Sequence, residues 1–207
     1  MIILVNIMDT TITNFFKMFT EIGHREGDIV FRKAIEQKDF NKIHQFNHEI
    51  FAGEIHQHSL SKDGWLIDKF HNKNHYFIAE RGETIIGLIS THWEPPYSIE
   101  DKCPNFYNLI PKDVKVGEIR LFSVHHEYRK TRIALRLITI VSAFLEHNHI
   151  DLVAISGIFN QKRLYEKLGF RAIDLPVRSG EALFIPMILT RDDFFIKKHW
   201  FINFDIT

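Results

Sequence analysis

Apolar residues recur along this chain with two periods, and the period switches from one stretch to the next. A spacing of three to four puts side chains on one helix face, whereas alternation or a short unbroken apolar run marks a strand. Residues 10–23 carry Ile12, Phe15, Phe16, Phe19 and Ile22 at helical spacing. That predicts an N-terminal helix docking its stripe on the domain, the alternative being a dimer or membrane-surface contact. After a polar break at 24–28, residues 29–34 read as a first strand. Asp39 is placed to cap a helix whose Phe40, Ile43, Phe46 and Ile50 share a face, and Ser61 to cap a shorter one with Trp65, Leu66 and Phe70. Residues 75–80 and 84–93 read as two strands joined by Arg81, Gly82 and Glu83, a hairpin with glycine in its turn.

Residues 94–115 are proline-rich and aperiodic, a length that points to a functional or lid-type loop. The pattern then gives a strand at 117–125, an apolar-striped helix at 133–147, a buried-type strand at 151–156, a short helix ending near 170 and a strand at 182–189. The aromatics of 192–204 suggest a docking helix or an interface. This order predicts a mixed α/β fold with a mostly antiparallel sheet and helices on both faces. One parallel βαβ stretch is expected, where 117–125 connects through 133–147 to 151–156. The division expected is an N-terminal helical extension (1–28), one domain (29–190) and a C-terminal tail (191–207).

Composition changes this picture little. The chain has 207 residues, 45% of them hydrophobic and 25% charged, ordinary for a soluble globular protein. A formal charge of +0 gives no global electrostatic case for nucleic acid or anionic membrane as partner. One cysteine, Cys103, excludes an intramolecular disulfide and fits a reducing compartment. With no secretory-type start and no apolar run of spanning length, integral membrane association is not expected and a cytoplasmic location is. His56/His58 and His125/His126 invite a metal, yet no third and fourth ligand are visible beside them, so none is expected. Cys103 stands next to Pro104 with no adjacent histidine, so nucleophilic catalysis by it is not expected either.

The chemistry concentrates where the 117–125 strand enters the 133–147 helix through the basic turn 127–132. Free N–H groups and the helix dipole converge at such a point on an anion. The plain alternative is a solvated basic turn in which Arg129, Lys130 and Arg132 are surface charges. The run Arg-Leu-Phe-Ser-Val-His-His-Glu-Tyr-Arg-Lys-Thr-Arg-Ile-Ala-Leu (120–135) resembles the acyl-CoA-binding motif of the GNAT superfamily of N-acyltransferases. Leu164-Tyr165-Glu166-Lys167-Leu168-Gly169-Phe170 resembles the superfamily's second signature, a helix ending in Tyr-x-x-x-Gly-Phe. The resemblance covers roughly residues 29–190.

It implies a GNAT-type fold and an N-acyltransferase moving an acetyl or acyl group from acetyl-CoA or another acyl-CoA to a small-molecule or peptide amine. The implied diphosphate ligands are the amides of Lys130, Thr131, Arg132, Ile133 and Ala134, with Arg129 adding charge. Ser123 and Val124 would pair with pantetheine in strand fashion, and the Val124 amide would hold the oxyanion. Glu118 is implied as the base and Tyr165 as the acid for the departing thiolate. Asn160 lies near the place where the family often carries an asparagine. Glu118 and Arg120 share one strand face, the alternative to catalysis being an exposed ion pair.

Where the family has its first glycine this chain has Arg132; the turn is either left-handed there, at a cost of about 1–2 kcal/mol, or right-handed with the guanidinium as a phosphate ligand. Residues 50–58, with Glu54 and His56 as substrate-side candidates beside Arg120, resemble the branch related to N-acyl amino acid and acyl-homoserine-lactone synthases. That branch implies acyl carrier protein as an alternative donor. A non-catalytic acyl-CoA-binding domain is the rival from another class, and a homodimer is compatible with the apolar ends.

Overall fold

The computed structural model of the protein describes residues 23–193. The helix expected over 10–23 and all but the first two residues of the 192–204 segment lie outside the described residues. The chain falls into two compact units interleaved in sequence. Among the described residues, one comprises 23–50, 60–91 and 121–149, and the other 51–59, 92–120 and 150–193.

In the first unit four strands form an antiparallel meander: β1 (His24–Glu26), β2 (Ile29–Lys33), β3 (His75–Arg81) and β4 (Thr84–His92). Gly82, at φ +60, turns β3 into β4 as the expected hairpin. Alternation along β3 explains why both its faces are buried. Tyr76 meets Phe40 of helix α1 (Gln37–Asn47), ring centroids 6.1 Å apart, while Phe77 meets Phe144 of helix α2 (Ile133–His147) at 5.0 Å. Helices thus cover both faces of this sheet. Gly87 sets the closeness of α2, since a Cβ there would stand 2.8 Å from Ile133 Cγ2 and 3.0 Å from Leu137 Cδ1.

In the second unit β5 (Val116–Val124) runs parallel to β6 (Leu152–Ile158) from Val116↔Leu152 to Glu118↔Ala154. The segment between them carries α2, which makes this the expected βαβ connection. β6 pairs antiparallel with β9 (Ala182–Thr190), and β9 with β7 (Arg171–Ala172) and β8 (Val177–Ser179). Helix α3 (Lys162–Leu168) ends on Gly169 at φ +104, the left-handed cap that the Gly of Tyr-x-x-x-Gly-Phe supplies. The mixed, mostly antiparallel α/β class is as expected. Among the described residues no helix is long and apolar enough to cross a membrane.

Three local expectations are corrected. Asp39 is not the N-cap: Glu36 is, and Asp39 in the third helical position accepts the Glu36 amide at 3.2 Å, closing a capping box. Ser61 starts no helix. Its Oγ accepts the Trp65 amide at 3.1 Å and donates to the Trp65 carbonyl at 2.9 Å, closing a turn over Gly64 at φ +72. Residues 94–115 are not a lid. Ile99, Cys103 and Phe106 are wholly buried and pack with Leu152, Ala154 and Ile188 as a core cluster of the second unit.

The buried Asp39 carboxylate anchors the start of α1. Arg32 donates to both its oxygens at 2.8 and 2.7 Å, and Arg32 Nε donates to Glu80 Oε2 at 2.8 Å. Burial would raise the Asp39 pKa, but Arg32 and the Glu36 and Ile35 amides overcome it and hold the group down at about 2. A pKa depressed from 3.8 to about 2 contributes about 2 kcal/mol above the unfolded value, lost as pH falls through the folded one. Melts as a function of pH should therefore show stability falling from about pH 4 to about pH 2, and Asp39→Asn should flatten that limb while lowering the midpoint at neutral pH.

Candidate active site

The turn into α2 belongs to the first unit. The His125 amide donates to Ile86 O at 3.0 Å, anchoring the exit of β5. A short 3-10 turn follows at His126–Tyr128. Arg132 is the N-cap of α2 at φ −78, ψ −1, so the turn stays right-handed and the left-handed alternative is removed. Arginine offers no acceptor, and no side chain caps the helix from this position. The Thr131 amide donates to Tyr128 O at 3.0 Å, and the Ile133 amide reaches Thr131 Oγ1 at 3.4 Å. Among the described residues no protein acceptor takes the amides of Lys130, Arg132, Ala134 or Leu135. Thr131 therefore drops out as a backbone donor and Ile133 is weakened, while Leu135 joins a set that sequence reasoning had ended at Ala134. Arg129 Nε donates to Val124 O at 3.0 Å, tying its guanidinium to the end of β5.

β5 does not remain regular. Its pairing with β6 ends at Glu118, and Leu121 adopts φ +52. A left-handed branched residue inside a strand is strained, and such positions bend a strand and re-aim its side chains. Ser123 lies just beyond, its Oγ donating to Leu121 O at 3.1 Å.

In the second unit Glu118 is fully buried, which overturns the exposed-pair alternative. Its Oε1 accepts from Ser98 Oγ at 2.7 Å and the Ile99 amide at 2.8 Å. Its Oε2 accepts from the Ser98 amide at 2.8 Å and faces His92 Nε2 at 3.2 Å and Arg120 Nη1 at 3.5 Å. Burial pushes the Glu118 pKa up, but the His92 bond, the Arg120 charge and the Ser98 donors outweigh it and hold the carboxyl below its ordinary range. A carboxylate this well satisfied has little appetite for a further proton. The structure thus brings Glu118 and Arg120 together as expected and adds His92 and Ser98, which sequence reasoning missed. They lie 26 and 20 residues away on another strand and in the irregular loop, with no shared spacing to reveal them.

Tyr165 lies on α3 with its ring over Gly157 of β6. A Cβ at Gly157 would stand 2.4 Å from Tyr165 Cε2, so only glycine leaves room for the ring. Burial raises the phenol pKa and the Ile158 amide, bonded to the hydroxyl, lowers it by less, so the hydroxyl stays protonated. Ile158, which stands where the family often has asparagine, thus contributes through its main chain. Asn160 is exposed in a short 3-10 turn, Phe159–Gln161.

Glu54 ends a π-helical segment, His48–Glu54, that prolongs α1. His56 follows at φ +54, its Nδ1 3.2 Å from Ala52 O, and the Glu181 amide donates to His56 O at 3.1 Å. Cys103 is buried with its thiol pushed up to about 11 by burial and by Asp174, so it carries no thiolate at neutral pH. Folding brings a partner to His125 that its place in the chain does not reveal: Glu49 Oε1 lies 3.3 Å from His125 Nε2.

The family model described as acetyltransferase (GNAT) domain matches residues 44–191, and the chain belongs to that family and is an acyltransferase. No curated protein matches the sequence. Among solved structures, a CoA-dependent acyl-homoserine lactone synthase, BjaI, with SAM and isopentyl-CoA, superposes with a TM-score of 0.65 at 18% identity, covering 80% of this chain and 83% of that one. FeeM, an N-acyl amino acid synthase from uncultured soil microbes, gives 0.61 at 19%, covering 80% and 92%. Arabidopsis thaliana NAA60 in complex with acetyl-CoA gives 0.57 at 18%, covering 79% and 99%. At these identities the likeness speaks for the fold.

The saturation of Glu118 makes a testable distinction. Glu118→Gln should destabilise the fold by on the order of 3 kcal/mol in urea denaturation, because the part-buried Arg120 and the Ser98 and Ile99 donors lose the carboxylate charge they face. An unchanged denaturation midpoint accompanied by lost turnover would return Glu118 to the role of base.

Proposed function

We propose that this acyltransferase moves an acyl group from acyl-CoA to the primary amine of a small molecule or peptide, by direct attack in a ternary complex. The observation that carries the reading is the open start of α2: among the described residues the amides of Lys130, Arg132, Ala134 and Leu135 have no protein acceptor, and Arg129, Lys130 and Arg132 stand in the turn that leads to them. Converging amides and guanidinium groups are what a diphosphate needs. Acyl-CoA carries a diphosphate and a ribose phosphate, whereas the prosthetic arm of acyl carrier protein carries one phosphodiester. The number of donors favours CoA.

In the proposed reaction the amine nitrogen forms a bond to the thioester carbonyl carbon and gives up its second proton to water, the C–S bond breaks, and the sulfur takes a proton from an acid that solvent then reprotonates. Tyr165 is the donor of that proton, because burial keeps its hydroxyl protonated. The Val124 amide steadies the oxyanion, and Ser123 and Val124 pair with the pantetheine amides. Glu118 is assigned a positioning role: it holds Arg120 and His92, and the ammonium proton leaves to solvent before attack. Arg120, Glu54 and His56 are the proposed acceptor-side residues, with Asn160 near the thiol. A cytoplasmic setting goes with this donor.

Isothermal titration with CoA and with 4′-phosphopantetheine tests the donor. CoA should bind about tenfold tighter or more, and Arg132→Ala should remove most of that preference. Equal affinities would favour a carrier-protein donor. With an amine panel, Tyr165→Phe should slow thiol release about 100-fold while CoA affinity stays the same. Undiminished release would exclude Tyr165 as the acid.

A further inference from the structure

We propose that Glu49, His125 and His126 form a binding site for a divalent transition ion of the zinc class. The inference rests on the first unit alone and stands apart from the acyl-transfer reading. The three ligand atoms, one from each residue, lie within 4.8 Å of one another. His125 Nε2 is 3.3 Å from Glu49 Oε1, and the two imidazole rings are 4.2 Å apart between centroids at 36°.

Neighbouring residues on a regular strand point apart. These two histidines converge because β5 ends at Val124 and a 3-10 turn begins at His126. Glu49 is brought to them by the second residue of the π-helical segment, a helix geometry found mostly at functional sites.

Two imidazoles and one carboxylate are the donor set of a catalytic-type zinc site, with the remaining position left to water. A set of two imidazoles and one carboxylate suits a transition ion better than magnesium or calcium, which prefer all-oxygen ligands. A tetrahedral ion at about 2.05 Å from its ligands sets them about 3.4 Å apart. The cluster must therefore tighten, and Glu49 and His126 are both exposed and able to turn inward, while His125 is fixed by its amide bond to Ile86 O.

Metal binding also relocates a proton. The Glu127 amide donates to His125 Nδ1 at 3.4 Å, so the neutral ring carries its hydrogen on Nε2, facing Glu49. Metal at Nε2 moves that hydrogen to Nδ1, so the long Glu127 amide contact is given up and Glu127 Oε2, 3.9 Å away, has to turn in to accept it. An outer carboxylate on a ligand histidine is a usual companion of such sites.

Titration calorimetry of the untagged, EDTA-treated chain with zinc chloride should show one saturable site, and cobalt chloride should give visible d–d absorption of a four- or five-coordinate ion. His126→Ala and Glu49→Gln should each weaken zinc about tenfold or more while melting like the parent in EDTA. Magnesium should produce no heat above dilution. Zinc affinity unchanged in both variants, or no saturable binding, would overturn the site and leave a plain Glu49–His125 ion pair.

Discussion

A carboxylate with no access to solvent is the constraint on which the second unit is built. An unanswered charge at that depth would cost several kcal/mol. Glu118 is answered by the Ser98 and Ile99 amides, the Ser98 hydroxyl, His92 and Arg120. Two of those donors are backbone groups of one short 3-10 turn, Ser98–Asp101, so the loop must fold onto β5 to deliver them. Tyr97 strengthens the attachment, its hydroxyl lying 3.0 Å from Trp93 O and 3.1 Å from Val116 O. Once the loop is held there, Ile99, Cys103 and Phe106 have nowhere to go but inward. The aperiodic stretch therefore becomes core without ever becoming a regular element.

Two glycines do comparable work by what they lack. Gly87 lets α2 press against β4, and Gly157 gives the Tyr165 ring a flat seat on β6. In both cases the partner is a bulky side chain and the glycine is inside a strand, where it weakens intrinsic propensity. Close approach is the compensation. For Tyr165 the result is a phenol fixed by packing on one side and by the Ile158 amide at its hydroxyl.

These mechanisms explain what the sequence could show. Helix α2 was legible to the residue, 133–147, because its apolar stripe is long and its neighbours are polar. The β3–β4 hairpin was legible because Gly82 announces the turn. β1, β7 and β8 were missed, being two or three residues long and too short to display a period. The π-helical segment has no sequence signature separate from the helix it prolongs. The site was half legible. Glu118 with Arg120, Tyr165 and the basic turn could be found from local pattern. The bonds that decide how they behave come mostly from residues distant in the chain: His92, Ser98 and, for His125, Glu49.

Arg132 shows why a departure from pattern must be weighed by its physics. Ser, Thr, Asp or Asn at an N-cap would satisfy one of the first amides and quiet the helix start. Arginine at φ −78, ψ −1 does neither, and Thr131 offers only a 3.4 Å contact in its place. Arg129, Lys130 and Arg132 moreover gather positive charge at the positive end of the helix dipole, which is unfavourable for the free helix. A turn selected only for stability would have the opposite charge and a capping side chain. Open amides and like-signed charge are both relieved by one event, the arrival of an anion, and the relief grows with the number of its oxygens. On the proposed reading, the arginine that at first counts against a phosphate site leaves the main-chain donors open and adds a charge that an anionic ligand would meet.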